Sequence, residues 1–180
     1  LVLAGTMTHL AAPDDQTMTA GQLARLDAVV DELRADGIDA GLVHAGGTGA
    51  ILAEMGSMAT AVRPGIGLYG LSPDSIDARA AGLTPVLSVR ALPLRMFEVS
   101  AGTPIGYGMR WTAPRPSRLA TLPIGYGDGW PRSHLNNGWA LFGGQRVPIV
   151  GAISMDGLVV DVTDADGVGL DHEFVLIGRQ

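Results

Sequence analysis

The first seventy residues contain three apolar runs that do not alternate with polar residues. These are "LVLAGTMTH" at 1–9, "AGLVHAG" at 40–46 and "ATAVRPGIGLYG" at 59–70. A strand without a polar side has no face for water, so it must be covered on both faces, and a helix between successive strands makes them parallel. The first connection supplies such a helix. Thr19 and Gln22 form a capping-box pattern, and Leu23, Leu26, Val29, Val30 and Leu33 then recur at helical spacing until Gly37 stops the helix. "GGTGAILAEMG" predicts a second, glycine-started helix, giving the order β-α-β-α-β. Ligands of parallel sheets bind at the carboxyl ends of the strands, and His9, His44 and Arg63 fall there.

From about residue 83 the pattern changes. Short runs such as "LTPVLSVRAL", "SRLATLPIG", "WALFGG", "QRVPIVGAISM", "LVVDV" and "EFVLIG" follow at close intervals, separated by Gly, Pro, Asn and Asp. No long helical stripe appears, so this part reads as all-β. The polar stretch "LSPDSIDARAAG" at 71–82 separates the two, which places one domain at 1–75 and a β domain at 83–180.

A formal charge of −6 and scattered arginines give no basic stripe for nucleic acid. No apolar run approaches the length of a membrane span, and the start has no basic signal-peptide region, which predicts a soluble, cytoplasmic protein. With no cysteine, and with His9, His44, His134 and His172 at no ligand-like spacing, no metal site is expected. All twelve basic residues are arginine, the chain starts at Leu1, and both ends lie in or beside apolar runs. Those features predict a fragment of a longer protein.

Five short motifs are candidates for chemistry. "RPGIG" at 63–67 presents backbone N–H groups suited to a phosphate, and "HAGGTG" at 44–49 adds a hydroxyl, Thr48. Each is equally ordinary loop chemistry taken singly, although consecutive strand ends bring the two to one place. "PIGYG" occurs twice, at 104–108 and 123–127, and holds Tyr107 and Tyr126 between glycines. Glycines around an aromatic fit a simple bend, or a phenol brought close to a ligand, and a phenol acting as a base at neutral pH needs a nearby cation. In "DGWPR", Asp128 and Arg132 read as a surface ion pair, and in "SMDG" Asp156 reads as a turn cap.

The ordered series His9, "HAGGTGA", "VRPGIGLYG", "GLTPVLSVRA", "PIGYGMRW", "LPIGYGDGWPR", "VPIVGAISMDGLVVDVT" and "VLIG" closely resembles the later part of the alanine racemases, which use pyridoxal 5'-phosphate. The resemblance implies an α/β plus β architecture: the last three β/α units of a (β/α)8 TIM barrel, followed by a mostly β C-terminal domain. It implies that Arg63 faces the pyridine nitrogen of the cofactor, that His44 holds this arginine and that His9 lies against the ring. Gly65 and Ile66 then match backbone phosphate donors, and Thr48 stands where the family has a serine. Tyr107 matches the catalytic tyrosine, reaching into the partner's site of a homodimer. Tyr126 and Asp156 match the active-site entrance, and the backbone of Met155 the contact to the substrate carboxylate.

The implied activity is interconversion of L- and D-alanine for peptidoglycan. The alternatives are a serine-preferring relative and a truncated, non-catalytic cofactor-binding or dimerisation module. Three departures from the family pattern stand out: Gly47 replaces an asparagine, Thr60 and Ala61 stand where an aspartate is usual, and the Schiff-base lysine is absent from these residues. Racemisation needs two bases, so these 180 residues are expected to be inactive alone.

Overall fold

Three strands, β1 (Gly5–Met7), β2 (Leu42–Gly47) and β3 (Ala61–Arg63), pair in parallel in that order, with Met7 opposite His44 and Gly47 opposite Arg63. The computed structural model describes residues 2–54 and 60–180, and the chain divides into two units, Leu1–Val86 and Leu87–Gln180. In the first unit, helix α1 (Gln16–Ala35) crosses from β1 to β2. A five-residue helix, α2 (Thr48–Leu52), leaves β2, and a 3-10 turn, Ile66–Tyr69, follows β3. The parallel order expected from the apolar runs is present. The third strand, however, leads into a 3-10 turn rather than a helix. The expected second helix beyond Glu54 and the first residue of the third run lie outside the described residues.

Two local expectations are corrected. α1 begins three residues before Thr19: Asp15 is the N-cap and accepts from the Met18 N–H at 2.9 Å. An aspartate caps as well as a threonine, so the earlier start wins, and Thr19 is left fully buried inside the helix. The sheet is also not covered on both faces within this unit. Alternate strand residues face opposite ways, and Val43 and Ala45 pack under Leu26 and Val30 of α1 while Met7, Leu42 and Val62 stay exposed. Val29 falls off the helical stripe and is exposed too. Gly37 ends the helix as expected, at φ 74°.

The second unit contains no α-helix among its described residues. Its strands are β4 (Val89–Ala91), β5 (Arg95–Val99), β6 (Pro104–Ile105), β7 (Trp111–Thr112), β8 (Ser117–Leu122), β9 (Trp139–Phe142), β10 (Gln145–Val150), β11 (Leu158–Asp161) and β12 (Phe174–Ile177). Seven form one antiparallel sheet in the order β4-β12-β9-β10-β11-β8-β5, and β6 pairs with β7 as a separate ribbon. The Gly143–Gly144 turn between β9 and β10 has positive φ at both residues, the conformation a tight hairpin demands and glycine adopts without a Cβ clash.

Register follows from apolar pairing: Leu122 lies opposite Leu158 and Ala120 opposite Val160, all essentially buried. Phe174, Ile149 and Val147 are part of this core, and a side chain of that size contributes about 1.5–3 kcal/mol on burial. On its surface Arg115 pairs with Asp164, whose carboxylate raises the pKa of the guanidinium. No helix among the described residues is long and apolar enough to cross a membrane.

Candidate functional site

The carboxyl ends of the three parallel strands meet at the Arg63 guanidinium. Nη1 donates to Nδ1 of His44, while Nη2 donates to the carbonyls of Thr8 (2.9 Å) and Ala45 (3.3 Å) and lies 3.3 Å from Nδ1 of His9. A guanidinium only donates, so His44 must accept at Nδ1; at Nη2, whose two protons face three neighbours, the approach to His9 shares a proton with a carbonyl bond. Sequence reasoning found His9, His44 and Arg63. It did not find the two carbonyls, which belong to backbone and leave no mark in the residue types.

Thr48 couples the next two loops. Its hydroxyl oxygen accepts the N–H groups of Gly65 (3.0 Å) and Gly67 (3.1 Å), joining the start of α2 to the turn after β3. This occupies the Gly65 N–H, which the family resemblance assigns to a phosphate; the Ile66 N–H has no protein acceptor among the described residues. With both oxygen lone pairs engaged, the hydroxyl of Thr48 has its proton left to give. The fit at Gly67 is close, since a Cβ there would meet the Thr48 Cγ2 at 2.9 Å.

Arg63, His9, Thr48, Gly65 and Ile66 all line one cavity of about 370 Å³, together with Leu10 and Pro73. Its wall is mostly apolar with a few convergent donors, the composition of a small-molecule site. Thr60, where the family has an aspartate, binds inward instead: its hydroxyl bonds both the N–H (2.9 Å) and the carbonyl (3.1 Å) of Val43 and anchors β2.

In the second unit the two "PIGYG" copies have unlike backbones. In the first, Gly106 has φ 75° and ψ −179°, a conformation essentially restricted to glycine, and a Cβ there would meet the Ala152 nitrogen at 2.9 Å. This turn presents Tyr107 at 77% exposure, against a cavity of about 400 Å³ shared with Thr121, Ala152 and Ser154. The far end of the turn is held by Asn136, which the sequence reading missed. Its Nδ2 donates to the Arg110 carbonyl at 2.9 Å and its Oδ1 accepts the Gly151 N–H at 2.8 Å.

In the second copy Gly125 lies on the Ser154–Gly157 turn. Tyr126 donates its N–H to the Ser154 carbonyl (3.0 Å) and Gly127 to that of Met155 (2.8 Å), so Tyr126, Met155 and Asp156 are brought to one edge of the unit. The expected Asp128–Arg132 ion pair is absent from the described contacts. Asp128 accepts the Gly125 N–H at 2.9 Å, and Arg132 lies 5.3 Å from the centre of the Tyr126 ring, because a local backbone donor and an aromatic face are nearer partners.

The family profile described as "Alanine racemase, N-terminal domain" matches residues 1–73, and that described as "Alanine racemase, C-terminal domain" matches residues 86–180. The alanine racemase of Sorangium cellulosum (strain So ce56) is 39% identical over 180 residues, covering 99% of this chain and 47% of the relative. That of Halothermothrix orenii is 39% identical over 178 residues, with 98% and 47% covered. Among solved structures, the alanine racemase from Streptomyces coelicolor A3(2) superposes with a TM-score of 0.85 at 31% identity, covering 99% of this chain and 47% of that one. The alanine racemase from Bartonella henselae with covalently bound pyridoxal phosphate does so at 0.78 and 36%, covering 98% and 48%. The chain thus spans about half the length of the curated relatives it matches. With the C-terminal profile alone covering more than half of the residues, the chain belongs to the alanine racemase family.

Proposed function

We propose that the protein carrying this chain racemises alanine with pyridoxal 5'-phosphate, and that the first unit supplies part of the cofactor site. The observation that carries this is the Arg63 guanidinium, fixed by His44 and the Thr8 and Ala45 carbonyls beside His9, on the wall of a cavity that Thr48 and Ile66 also line. The fit is chemical. Nε–H and one Nη1–H of Arg63 have no protein acceptor among the described residues, which suits a ring nitrogen bearing a lone pair. The hydroxyl proton of Thr48 and the Ile66 N–H suit a phosphate, with Gly65 acting through Thr48 rather than directly.

Bound there, the cofactor supplies an electron sink for negative charge at the substrate Cα. Arg63 cannot protonate the ring nitrogen at physiological pH, which keeps that sink weak and favours quick reprotonation at Cα over loss of the amino group. His44 holds Arg63 in place, and His9 covers the ring. Tyr107, on an exposed turn, takes or returns the Cα proton on one face, in the site of a second copy of the chain in a homodimer. Met155 contacts the substrate carboxylate through its backbone, and Tyr126 and Asp156 line the entrance. The product, D-alanine, serves peptidoglycan synthesis in the cytoplasm.

The test is Cα hydrogen–deuterium exchange of L- and D-alanine by the protein as encoded, with pyridoxal phosphate added and its absorbance followed. Exchange from both enantiomers is expected. Cofactor binding without exchange would favour a non-catalytic module, and faster exchange of serine than of alanine would reassign the substrate.

A further inference from the structure

Gln22 uses both ends of its side-chain amide on the backbone beside His9. Its Oε1 accepts the Ala11 N–H at 2.9 Å, and its Nε2 donates to the His9 carbonyl at 3.2 Å. One turn earlier on the same helix, the fully buried Thr19 donates its hydroxyl to the Ala12 carbonyl at 2.9 Å. Residues three apart on a helix share a face, so one side of α1 grips the backbone of residues 9–12 at three points. That segment is also cavity wall, through His9, Leu10 and Ala11.

The His9 ring has little else to hold it. It is exposed, and its one side-chain hydrogen-bonding neighbour among the described residues is Arg63, at 3.3 Å. Beside it stands Gly47, where an added Cβ would touch the ring carbon Cε1 at 3.6 Å, a contact that glycine leaves unmade. The placement of the ring therefore depends on the backbone that carries it, and Gln22 holds that backbone on both sides of Leu10.

We propose that Gln22 is a positioning residue that fixes His9 against Arg63 and thereby shapes the wall of the cofactor cavity; this rests on the cofactor reading above. A glutamine is suited to the task because it satisfies a donor and an acceptor two residues apart without carrying charge. A helix cap, the role its spacing with Thr19 suggests, would use the side chain on the first helical turn instead.

The experiment uses the protein as encoded, labelled with ¹⁵N at histidine and alanine. Gln22→Met keeps the volume and removes both bonds. Expected are shifted His9 ring ¹⁵N resonances, faster exchange of the Ala11 amide, and about tenfold weaker retention of pyridoxal phosphate, the factor for the loss of one or two partly exposed hydrogen bonds. The melting temperature should fall by no more than about 3 °C, since the bonds lie at the surface. Gln22→Glu separates the two halves: Ala11 stays protected, while the His9 resonances shift.

His9 resonances and cofactor retention unchanged in Gln22→Met would overturn the proposal. Should that variant fail to fold, the His9 resonances of Gln22→Glu decide alone. If the unsubstituted protein binds no pyridoxal phosphate, the functional reading fails, and the His9 and Ala11 signals still decide whether Gln22 sets the loop.

Discussion

Arg63 donates a hydrogen bond to Nδ1 of His44, three residues before its own cross-strand neighbour Gly47 on the adjoining parallel strand. Because a guanidinium has no acceptor, the bond holds only while Nδ1 of His44 is unprotonated. Replacing Arg63 by Lys keeps the charge but not the planar fork, and it leaves the Thr8 and Ala45 carbonyls competing for one ammonium group. Arg63→Lys is expected to lower stability by about 1–3 kcal/mol and to weaken pyridoxal phosphate retention at least about tenfold. A thermal melt and a cofactor dialysis measure the two. Unchanged retention would remove Arg63 from the cofactor site.

Tyr107→Phe removes a hydroxyl with no hydrogen-bond partner among the described residues. Stability should be unaffected, and cofactor absorbance should remain. Proton exchange at Cα should fall by about 10²–10⁴ from one alanine enantiomer, the loss expected for a general acid–base group. Equal exchange from both enantiomers in this variant would take the role away from Tyr107.

Gly125→Ala tests packing rather than chemistry. A Cβ at this position would sit 2.3 Å from the Met155 carbonyl oxygen and 2.4 Å from that of Ser154, both of them backbone atoms. The turn carrying Met155 and Asp156 must then move, at a cost of about 1–3 kcal/mol. Gly129→Ala, where nothing lies within 4 Å but φ is 91°, should cost less. Denaturant midpoints rank the two, and the reverse order would mean that turn strain outweighs contact.

Asn136 adopts φ 55° and ties Arg110 to Gly151. Asn136→Gly removes both bonds but suits the left-handed backbone, whereas Asn136→Ala adds about 1 kcal/mol of conformational strain to the same loss. The expected stability order is Asn, then Gly, then Ala, with faster amide exchange through the Tyr107 turn in both variants. Equal exchange rates would show that the turn is held by Gly106 against Ala152 alone.

Periodicity was enough to separate a parallel, helix-linked unit from an antiparallel one, because apolar runs with and without helical intervals demand different coverings. It also put Arg63 at the end of β3 and His9 just beyond β1, whereas His44, expected at a strand end, lies inside β2 and meets Arg63 from there. Three kinds of feature were out of its reach. Asp15 and Thr19 are both good caps, and in the fold Asp15 caps α1 while the Thr19 hydroxyl bonds the Ala12 carbonyl instead. Partners made by carbonyls, such as those of Thr8 and Ala45, have no residue signature. Long-range side-chain ties, such as Asn136 to Gly151 and Thr60 to Val43, depend on which turns the fold brings together. The twin "PIGYG" words show the same limit, for one spelling took two backbone shapes because its two copies lie against different neighbours.

The close fit between Thr48 and Gly67 also constrains how the family can vary. The methyl of Thr48 occupies the space a side chain at 67 would need, while its hydroxyl oxygen, 3.3 Å from that same point, holds the Gly67 N–H. A serine at 48 keeps the oxygen and vacates the methyl. Positions 48 and 67 should therefore drift as a pair among relatives, with threonine at the first demanding glycine at the second and serine relaxing that demand, a signature that aligned sequences can display without a single purified protein.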